Sequence, residues 1–421
     1  MQLAILCLDT PNFKKDLPVR NYFKALTLAE DQRNVALLAA TQALLFTNNT
    51  ILISINGLAG YALASDRSLA TLPVTAYVLG AALTTLPVSF LMRRIGRING
   101  FTVGTLIGIV GASICCTAVY AHQFWLLCFG TLVMGIYNAS GQYYRFAAAD
   151  VAPPEFKSRA ISLVLAGGLV GGILGPETAQ YTKDLLSAEF MGSYLVLILF
   201  CTIAIILQRQ LRIPRLTIAE QSNSGRSLRQ IAKDPTFLVA VMCGMVGYGV
   251  MNLLMTATPL AMKACQFSFK STVFVIEWHV FAMFAPSFFT GTLIKRFGVC
   301  TILSIGVLFC LGCVAIALSG IEVMHFWFAL VLIGIGWNFL YIGGTTLLTE
   351  THTIAEKAKV QGANDTAIFL TMAASSATSG WLFSARGWEV MNYGAIPFLI
   401  FTGISILLLA KRRTLTGIER Q

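Results

Sequence analysis

Long apolar blocks separated by short polar segments dominate the hydropathy pattern of this chain. Val35–Ala64 and Phe326–Leu348 contain no lysine, arginine, aspartate or glutamate, and Leu163–Thr178 contains only Glu177. A helix needs roughly 20 apolar residues to cross the hydrocarbon core of a bilayer. Because lipid offers the backbone no hydrogen-bond partner, such blocks are expected to be helices. The pattern predicts twelve membrane-spanning helices, at about 35–64, 69–91, 100–120, 124–147, 159–178, 190–208, 236–260, 271–293, 299–319, 326–348, 360–383 and 390–410.

The composition and the placement of charge support a membrane protein. The chain has 421 residues, of which 56% are hydrophobic and 12% charged, whereas soluble domains carry about 25% charged residues. Of the 30 lysines and arginines, 24 fall on the side of the predicted spans that holds both termini, and five fall on the other side. Since positively charged loops remain in the cytoplasm, we expect a multi-pass plasma (inner) membrane protein with both termini cytoplasmic. The net charge of +11 therefore reflects membrane orientation, and no nucleic-acid partner is expected.

The two halves of the chain resemble each other. Phe124-Trp125 opens the fourth predicted span and Phe326-Trp327 opens the tenth, 202 residues later. A polar segment separates the halves, and parallel six-helix repeats are a known architecture of secondary transporters. The sequence predicts an N-terminal segment, a six-helix bundle, a linker, a second six-helix bundle and a C-terminal tail, at 1–34, 35–208, 209–235, 236–410 and 411–421.

A basic turn closed by glycine follows both the second and the eighth predicted span. The first copy reads Ser89-Phe-Leu-Met-Arg93-Arg94-Ile-Gly96-Arg97, and the second reads Gly291-Thr-Leu-Ile-Lys295-Arg296-Phe-Gly298. Over nearly its whole length the chain resembles the major facilitator superfamily, whose turn has the pattern Gly-x-x-x-Asp-Arg-x-Gly-Arg. Arg93 and Lys295 replace the acidic member here, so the family's charge network around that aspartate does not carry over.

The resemblance implies an all-α membrane protein of twelve helices in two pseudo-symmetric six-helix bundles. It also implies secondary active transport of a small organic solute by alternating access. The basic turns would then grip helix ends of the opposite half, and Asp365 is expected to pair with the first turn when the cytoplasmic side is shut. The gating candidates are Arg93, Arg94, Gly96, Arg97, Asp150, Lys295, Arg296, Gly298 and Asp365.

The family's architecture places the substrate wall on the first, fourth, seventh and tenth spans. Polar and aromatic residues in these spans are the candidates for the solute cavity: Gln42, Asn48, Asn49, Asn138, Gln142, Tyr143, Arg145, Tyr248, Asn252, Trp337, Asn338 and Tyr341. This amide-rich and aromatic set suits a neutral or weakly charged solute and does not suit a metal. Arg145 can bind an anionic group, reach the interface or pair with Asp150, and we favour a structural or gating role.

Ionisable residues inside predicted spans are functional candidates because their burial is costly. Glu177, Glu277 and His279 lie in the outer halves of the fifth and eighth spans and are candidates for a proton-linked gate. The alternative is that both glutamates reach outside water. On the fifth span, Gly167, Gly171 and Gly175-Pro176 form a series that favours close packing of helices. The same series is similar to a signature of family antiporters, although Ala179-Gln180 replaces its last two glycines.

Several functions remain open at this stage. The stretch from Trp278 to Gly291 resembles a bacterial subgroup whose substrates are mostly unassigned, and the resemblance implies that some relatives import a vitamin such as riboflavin. A drug or metabolite efflux antiporter, a channel and a non-transporting membrane sensor are alternatives. An enzyme is not expected, because the sequence lacks H-E-x-x-H, G-x-S-x-G and G-x-x-x-x-G-K-[ST] motifs. We expect no cofactor, no metal and no disulfide, since most cysteines lie inside apolar blocks, and we expect a monomer in the lipid bilayer.

Overall fold

The computed structural model describes residues 17–65, 69, 72–214 and 225–416, and these residues form helices without strands. Residues 1–16 and 417–421 of the predicted terminal segments, and 215–224 of the predicted linker, lie outside the described residues. The described part of the first half includes a short 3₁₀ turn at Pro154–Phe156 and the helices α1 (Leu17–Leu63), α2 (Leu72–Ile95), α3 (Arg97–Tyr120), α4 (Phe124–Gly141), α5 (Tyr144–Val151), α6 (Lys157–Thr182) and α7 (Met191–Gln208).

The second half follows a short linker helix. Its elements are α8 (Leu228–Ile231) in the linker, then α9 (Pro235–Ala264), α10 (Phe269–Phe284), α11 (Ser287–Phe297), α12 (Val299–Ser319), α13 (Val323–Leu348) and α14 (Lys357–Thr416). The fourth predicted span corresponds to α4 with α5, and the eighth to α10 with α11. The eleventh and twelfth spans together form α14.

The helices depart from the predicted boundaries in several places. Helix α1 begins at Leu17 instead of residue 35, because the polar residues before the apolar block also adopt helical backbone. The fourth span is interrupted at Gln142–Tyr143, and the eighth is bent by 42° between α10 and α11, next to Pro286. Proline lacks the N–H that would continue the helical hydrogen bonds, which accounts for the second break.

The last two spans are joined more tightly than the sequence indicates. A loop was expected between residues 383 and 390, but α14 continues through this segment with one non-helical residue, Gly387, at φ 78°. Ten described helices are long and apolar enough to cross a membrane, or eleven if α10 and α11 count as one span. The eleventh predicted span, 360–383, is not among them.

The core lies inside each half, and a smaller contact joins the halves. Helix α1 packs along α6, and α4 packs against α2 and α3; in the second half α9 packs against α13 and α14. Between the halves, α2 meets α14, and α6 meets α10 and α11. We use the name linker face for the end of the bundle that carries Asp150, Arg212, Arg226 and Lys357. At this face the two halves are in direct contact.

Candidate functional site

A chain of amides lies at the centre of the first half. The Nδ2 atom of Asn49 donates to Oδ1 of Asn138 at 3.0 Å, and Nε2 of Gln142 donates to the same oxygen at 3.2 Å. The hydroxyl of Tyr77 donates to Oδ1 of Asn49. The structure thus brings together three predicted cavity residues, Asn49, Asn138 and Gln142. Tyr77 was missed, because a tyrosine inside an apolar block carries no signal of its own.

A cluster of aromatic rings faces these amides from the second half. The rings of Trp337 and Tyr341 stack with centroids 5.2 Å apart and planes 20° apart. Tyr248 packs edge-on against both rings, at 5.1 and 4.9 Å. All three were predicted for the cavity, and the structure places them together.

The aromatic cluster extends across to the first half. Phe284 lies 5.7 Å from the Trp337 ring and 4.9 Å from the Phe46 ring. The hydroxyl of Tyr341 also donates to Oε1 of Gln142 at 3.4 Å. Phe46 and Phe284 were missed, since phenylalanines are common throughout apolar spans. The result is a contiguous amide and aromatic surface shared by both halves, which we call the central site.

Four predicted cavity asparagines or tyrosines point elsewhere. Asn48 donates to Sγ of Cys201 at 3.3 Å. Asn338 is fully engaged with the eighth span, because it donates to the Met283 carbonyl and to Ser287 and accepts from Thr290. The remaining two bind neighbouring helices: Asn252 donates to the Met372 carbonyl at 3.1 Å, and Tyr143 donates to the Thr85 carbonyl at 2.8 Å.

These asparagines show how helices satisfy buried amides. An amide in an apolar interior is costly without a partner, so it binds the nearest helix when one is in reach. Gln42 is likewise buried, at 2% exposure. Sequence alone does not reveal which amides are occupied in this way.

Arg145 forms a buried ion pair between the halves, next to the central site. Its guanidinium pairs with the carboxylate of Asp365, and the two side chains are 1% and 2% exposed. The guanidinium carbon also lies 4.4 Å from the Phe146 ring centroid and 4.7 Å from that of Tyr341. The predicted alternatives for Arg145, a reach to the interface or a pair with Asp150, are therefore wrong for this structure.

The partner predicted for Asp365 is also corrected. It was expected to pair with the turn Arg93–Arg97, but its Oδ1 accepts from Arg145 and, at 2.8 Å, from Asn364. Its Oδ2 has no hydrogen-bond partner among the described residues. The buried Arg145 guanidinium lies deeper in the bundle than the basic turn Arg93–Arg97. The basic turn instead contacts Gln361, which lies one helical turn before Asp365 on α14.

Arg97 of the basic turn takes part in an ionic network between the halves at the linker face. Arg97 donates to Asp150 at 2.8 Å and to Oε1 of Gln361 at 2.8 Å, and Lys357 lies 2.7 Å from Asp150. Ser89 donates to the Ala358 carbonyl at 2.7 Å. The gating expectation for Arg97 and Asp150 thus has a geometric basis. We use the name ionic gate for Ser89, Arg97, Asp150, Lys357, Ala358 and Gln361.

The other residues of the first basic turn surround this network. Arg93 is half-buried and Arg94 is exposed. Gly96 adopts φ 86° before α3 begins. Lys357 and Gln361 were missed, although polar residues at the start of a span are a usable signal.

A second contact between the halves is made by serine hydroxyls and the backbone of a glycine. Ser158 donates to the Gly291 carbonyl at 2.9 Å, and Ser162 accepts from the Gly291 N–H at 3.1 Å and donates to the Ser287 carbonyl. A Cβ atom added to Gly291 would lie 2.4 Å from the Ser158 carbonyl oxygen. We call these four residues the small-residue gate. Lys295 and Arg296, on the same helix, are exposed instead.

The three candidates for a proton-linked gate are not brought together. Glu177 and Glu277 are both exposed. His279 is buried, and its Nδ1 lies 2.8 Å from the Leu330 carbonyl inside the second half. The alternative that the glutamates reach water agrees better with this placement.

The glycine series on α6 packs the fifth span against the first. A Cβ atom would lie 2.4 Å from Ala39 at Gly167, 2.5 Å from Phe46 at Gly171 and 1.7 Å from Thr50 at Gly175. Thr50 also donates to the Gly171 carbonyl at 2.8 Å. Pro176, at the end of the series, is exposed. This glycine series therefore allows α6 to pack closely against α1 within the first half.

Both described ends of the linker are anchored, each to its own half. The Asn34 amide exchanges two hydrogen bonds of 3.0 Å with the backbone of Arg212. On the other side, Arg226 donates to Glu356 through its backbone and its guanidinium, at 2.7 to 2.8 Å. These hydrogen bonds from Arg226 hold the pKa of Glu356 well below its usual range.

Comparisons with known proteins agree with this architecture. Residues 38–350 match the family model of the Major Facilitator Superfamily. The riboflavin transporter RfnT of Brucella anthropi is 41% identical over 383 residues, which cover 90% of this chain and 96% of that protein. The uncharacterized MFS-type transporter YdeG of Bacillus subtilis is 28% identical over 357 residues, or 81% of this chain and 83% of that protein.

Solved structures show the same fold at low sequence identity. The MFS transporter FucP in its outward conformation superimposes with a TM-score of 0.71 at 15% identity, covering 88% of this chain and 98% of that one. The human organic anion transporter MFSD10 gives a TM-score of 0.73 at 13% identity, covering 89% and 99%. The expected all-α fold of twelve spans is confirmed, and the chain belongs to the Major Facilitator Superfamily of membrane transporters.

Proposed function

We propose that this transporter carries a planar, neutral or weakly charged solute with hydrogen-bonding groups, and that riboflavin is such a solute. The observation that supports this proposal is the central site, where the Trp337 and Tyr341 rings stack and the Tyr341 hydroxyl donates to the amide of Gln142. Aromatic side chains bind flat rings by stacking, and amides bind carbonyl and imide groups at the ring edge. The 41% identity to a riboflavin transporter supports the same class of solute.

Alternating access fits the way the halves meet. In our proposal the linker face is cytoplasmic, both termini lie on that side, and the protein resides in the plasma (inner) membrane as two six-helix units, 35–208 and 236–410. The excess of lysine and arginine in the loops on this side supports that orientation. Release of solute to the cytoplasm then requires the ionic gate, the small-residue gate and the Arg145–Asp365 pair to separate.

A proton is the coupling ion that this arrangement suits. Asp365 is a buried carboxylate in the contact between the halves, and one of its oxygens has no partner among the described residues. A proton on this carboxylate would neutralise the attraction to Arg145 and lower the cost of separating the halves. Glu177, Glu277 and His279 do not lie at this contact, so we assign the coupling proposal to Asp365.

Counterflow in proteoliposomes tests the proposed solute. Vesicles that contain the wild-type protein and unlabelled riboflavin should accumulate labelled riboflavin transiently, which a channel or a sensor would not do. Trp337→Ala should reduce exchange about tenfold or more, since an aromatic stacking contact and its burial together contribute about 2–4 kcal/mol. Trp125→Ala is the matched control, because Trp125 is 68% exposed.

Two results would contradict the proposal. Absence of riboflavin exchange by a folded wild-type protein would exclude riboflavin as its solute. Equal losses in the Trp337 and Trp125 variants would show that the central site does not bind the solute. A screen of efflux substrates would then address the antiporter alternative.

A further inference from the structure

A cavity lies at the linker face, apart from the central site. It has a volume of about 400 Å³, and residues from both halves line it. Arg93, Arg97, Asp150 and Lys157 come from the first half, while His352 and Lys357 come from the second. Because both halves contribute to its wall, this cavity exists only while the halves are in contact at this face.

The charged groups around the cavity are mostly positive. Among the lining residues that the structure describes, four side chains are cationic and one, Asp150, is a carboxylate, which is already shared by Arg97 at 2.8 Å and Lys357 at 2.7 Å. Lys157 is half-buried, and no carboxylate among the described residues lies within ion-pair distance of it. Burial lowers the pKa of His352 to about 4, so this imidazole adds no charge at neutral pH.

Three helices begin at the wall of this cavity. Arg97, Lys157 and Lys357 are the first residues of α3, α6 and α14. The N-terminal end of a helix carries partial positive charge, so a cation there is unfavourable by about 0.3–1 kcal/mol. The partial positive charges of these three helix ends therefore add to the positive potential of the cationic side chains around the cavity. The arrangement is unfavourable for an empty cavity and favourable for a bound anion.

We propose that the linker-face cavity binds an anion that carries a phosphate group. Arginine and lysine side chains together with helix N-termini are the groups that proteins use for phosphate. The anion is either a free phosphate monoester or the headgroup of an anionic phospholipid, since both present the same chemistry. Because the ligand contacts both halves, it stabilises the state in which they are closed at this face and slows the transport cycle.

This inference is independent of the proposed solute. Binding of the anion is measured on the protein without any transported solute, so failure of the riboflavin assignment leaves the outcome unaffected. Conversely, a protein that exchanges riboflavin without responding to phosphate would retain its proposed function and lose only this site.

Thermal unfolding of the full chain in detergent tests the site. Inorganic phosphate should raise the unfolding temperature of the wild type above that in chloride at equal ionic strength. Lys157→Gln should weaken the apparent affinity about tenfold, which is the loss expected for one charge-assisted hydrogen bond. Lys157→Arg should retain the response.

Lys183→Gln is the matched control. This lysine follows the other end of α6 and is 44% exposed, so its removal should leave the response to phosphate unchanged. An equal response in the wild type and the Lys157→Gln variant would overturn the proposal.

Lipid nanodiscs identify the source of the phosphate. If a phospholipid headgroup fills the cavity, discs of phosphatidylglycerol should stabilise the wild type over the Lys157→Gln variant more than discs of phosphatidylcholine do. If a free anion fills it, phosphate should stabilise the protein equally in both kinds of disc. No stabilisation by soluble phosphate or by phosphatidylglycerol would exclude an anion site here.

Discussion

The two basic turns of the molecule share a backbone but differ in their partners. Gly96 has φ 86° and ψ 158°, and Gly298 has φ 84° and ψ 151°. A positive φ favours glycine, so both copies keep this residue where one span ends and the next begins. In the first copy Arg97 follows the glycine and enters the ionic gate, whereas Val299 follows it in the second.

The same difference separates the two contacts between the halves. The ionic gate joins α2, α3 and α5 to α14 by charged and polar side chains, while the small-residue gate joins α6 to α11 by serine hydroxyls and a glycine backbone. Lys295 and Arg296 remain exposed, and Arg296 lies 5.2 Å from the neighbouring Phe297 ring. Both repeats thus keep the same backbone shape at the turn. They differ in the residue after the glycine, and among the described residues only the copy with arginine at this position contributes that residue to a contact that closes the linker face.

Asp365→Asn should have the largest effect on closure. The substitution leaves the Arg145 guanidinium buried without its carboxylate, and removal of one partner of a buried pair costs about 3–5 kcal/mol. This cost falls on the state that is closed at the linker face, so the protein should shift towards the open state. Accessibility of cysteines introduced at the linker face, measured with a membrane-impermeant reagent, reports the shift.

The control for this variant is Asp184→Asn, since Asp184 is 67% exposed. The double variant Arg145→Gln with Asp365→Asn should recover part of the closed population, because it no longer buries a lone charge. Unchanged accessibility in Asp365→Asn would show that the pair does not hold the halves together.

Gly291→Ala should have the next largest effect and tests the small-residue gate. Its new Cβ atom would lie 2.4 Å from the Ser158 carbonyl oxygen, which belongs to backbone and cannot rotate away. Overpacking of this kind costs about 1–3 kcal/mol, so the closed population should fall about fivefold or more and riboflavin exchange should slow. Gly394→Ala is the matched control, since no atom lies within 4 Å of its added Cβ. Similar rates for both variants would remove the small-residue gate from the mechanism.

The smallest effects should distinguish the two basic turns. Arg97→Gln breaks pairs whose side chains are 12% and 17% exposed, and partly exposed pairs contribute about 1 kcal/mol or less. We expect a shift of about twofold to fivefold in the closed population. Lys295→Gln, at an exposed position, should change it by less than about 0.5 kcal/mol. If both variants shift the population equally, the proposed division between the turns is wrong.

The fold was largely predictable because it follows from hydropathy. Each apolar block became a helix, and the predicted span 360–383, which holds Asp365, is helical as well. The helical extension back to Leu17 was missed, because polar residues adopt helix as readily as apolar ones and leave no hydropathy signal. The break near Pro286 had a signal in the proline, whereas the interruption at Gln142 had none.

The candidate site was predictable only in part, because it depends on partners far apart in the chain. Tyr248, Trp337 and Tyr341 could be grouped from family architecture, and they do lie together. The pair between Arg145 and Asp365 joins residues 220 positions apart, and no local pattern encodes that distance. Asn338 was misplaced for the same reason: its residue type fits a cavity, but Met283, Ser287 and Thr290 already occupy its amide.

The anchors of the linker bear on how such a chain can be divided. Arg212 is held by Asn34 of the first half, and Arg226 is held by Glu356 of the second, so neither anchor depends on the covalent connection between them. Each half therefore ends in a fixed segment of its own. Two separately expressed pieces, cut between Pro214 and Gly225, should therefore each retain their own anchor, and we expect them to reassociate into a folded protein.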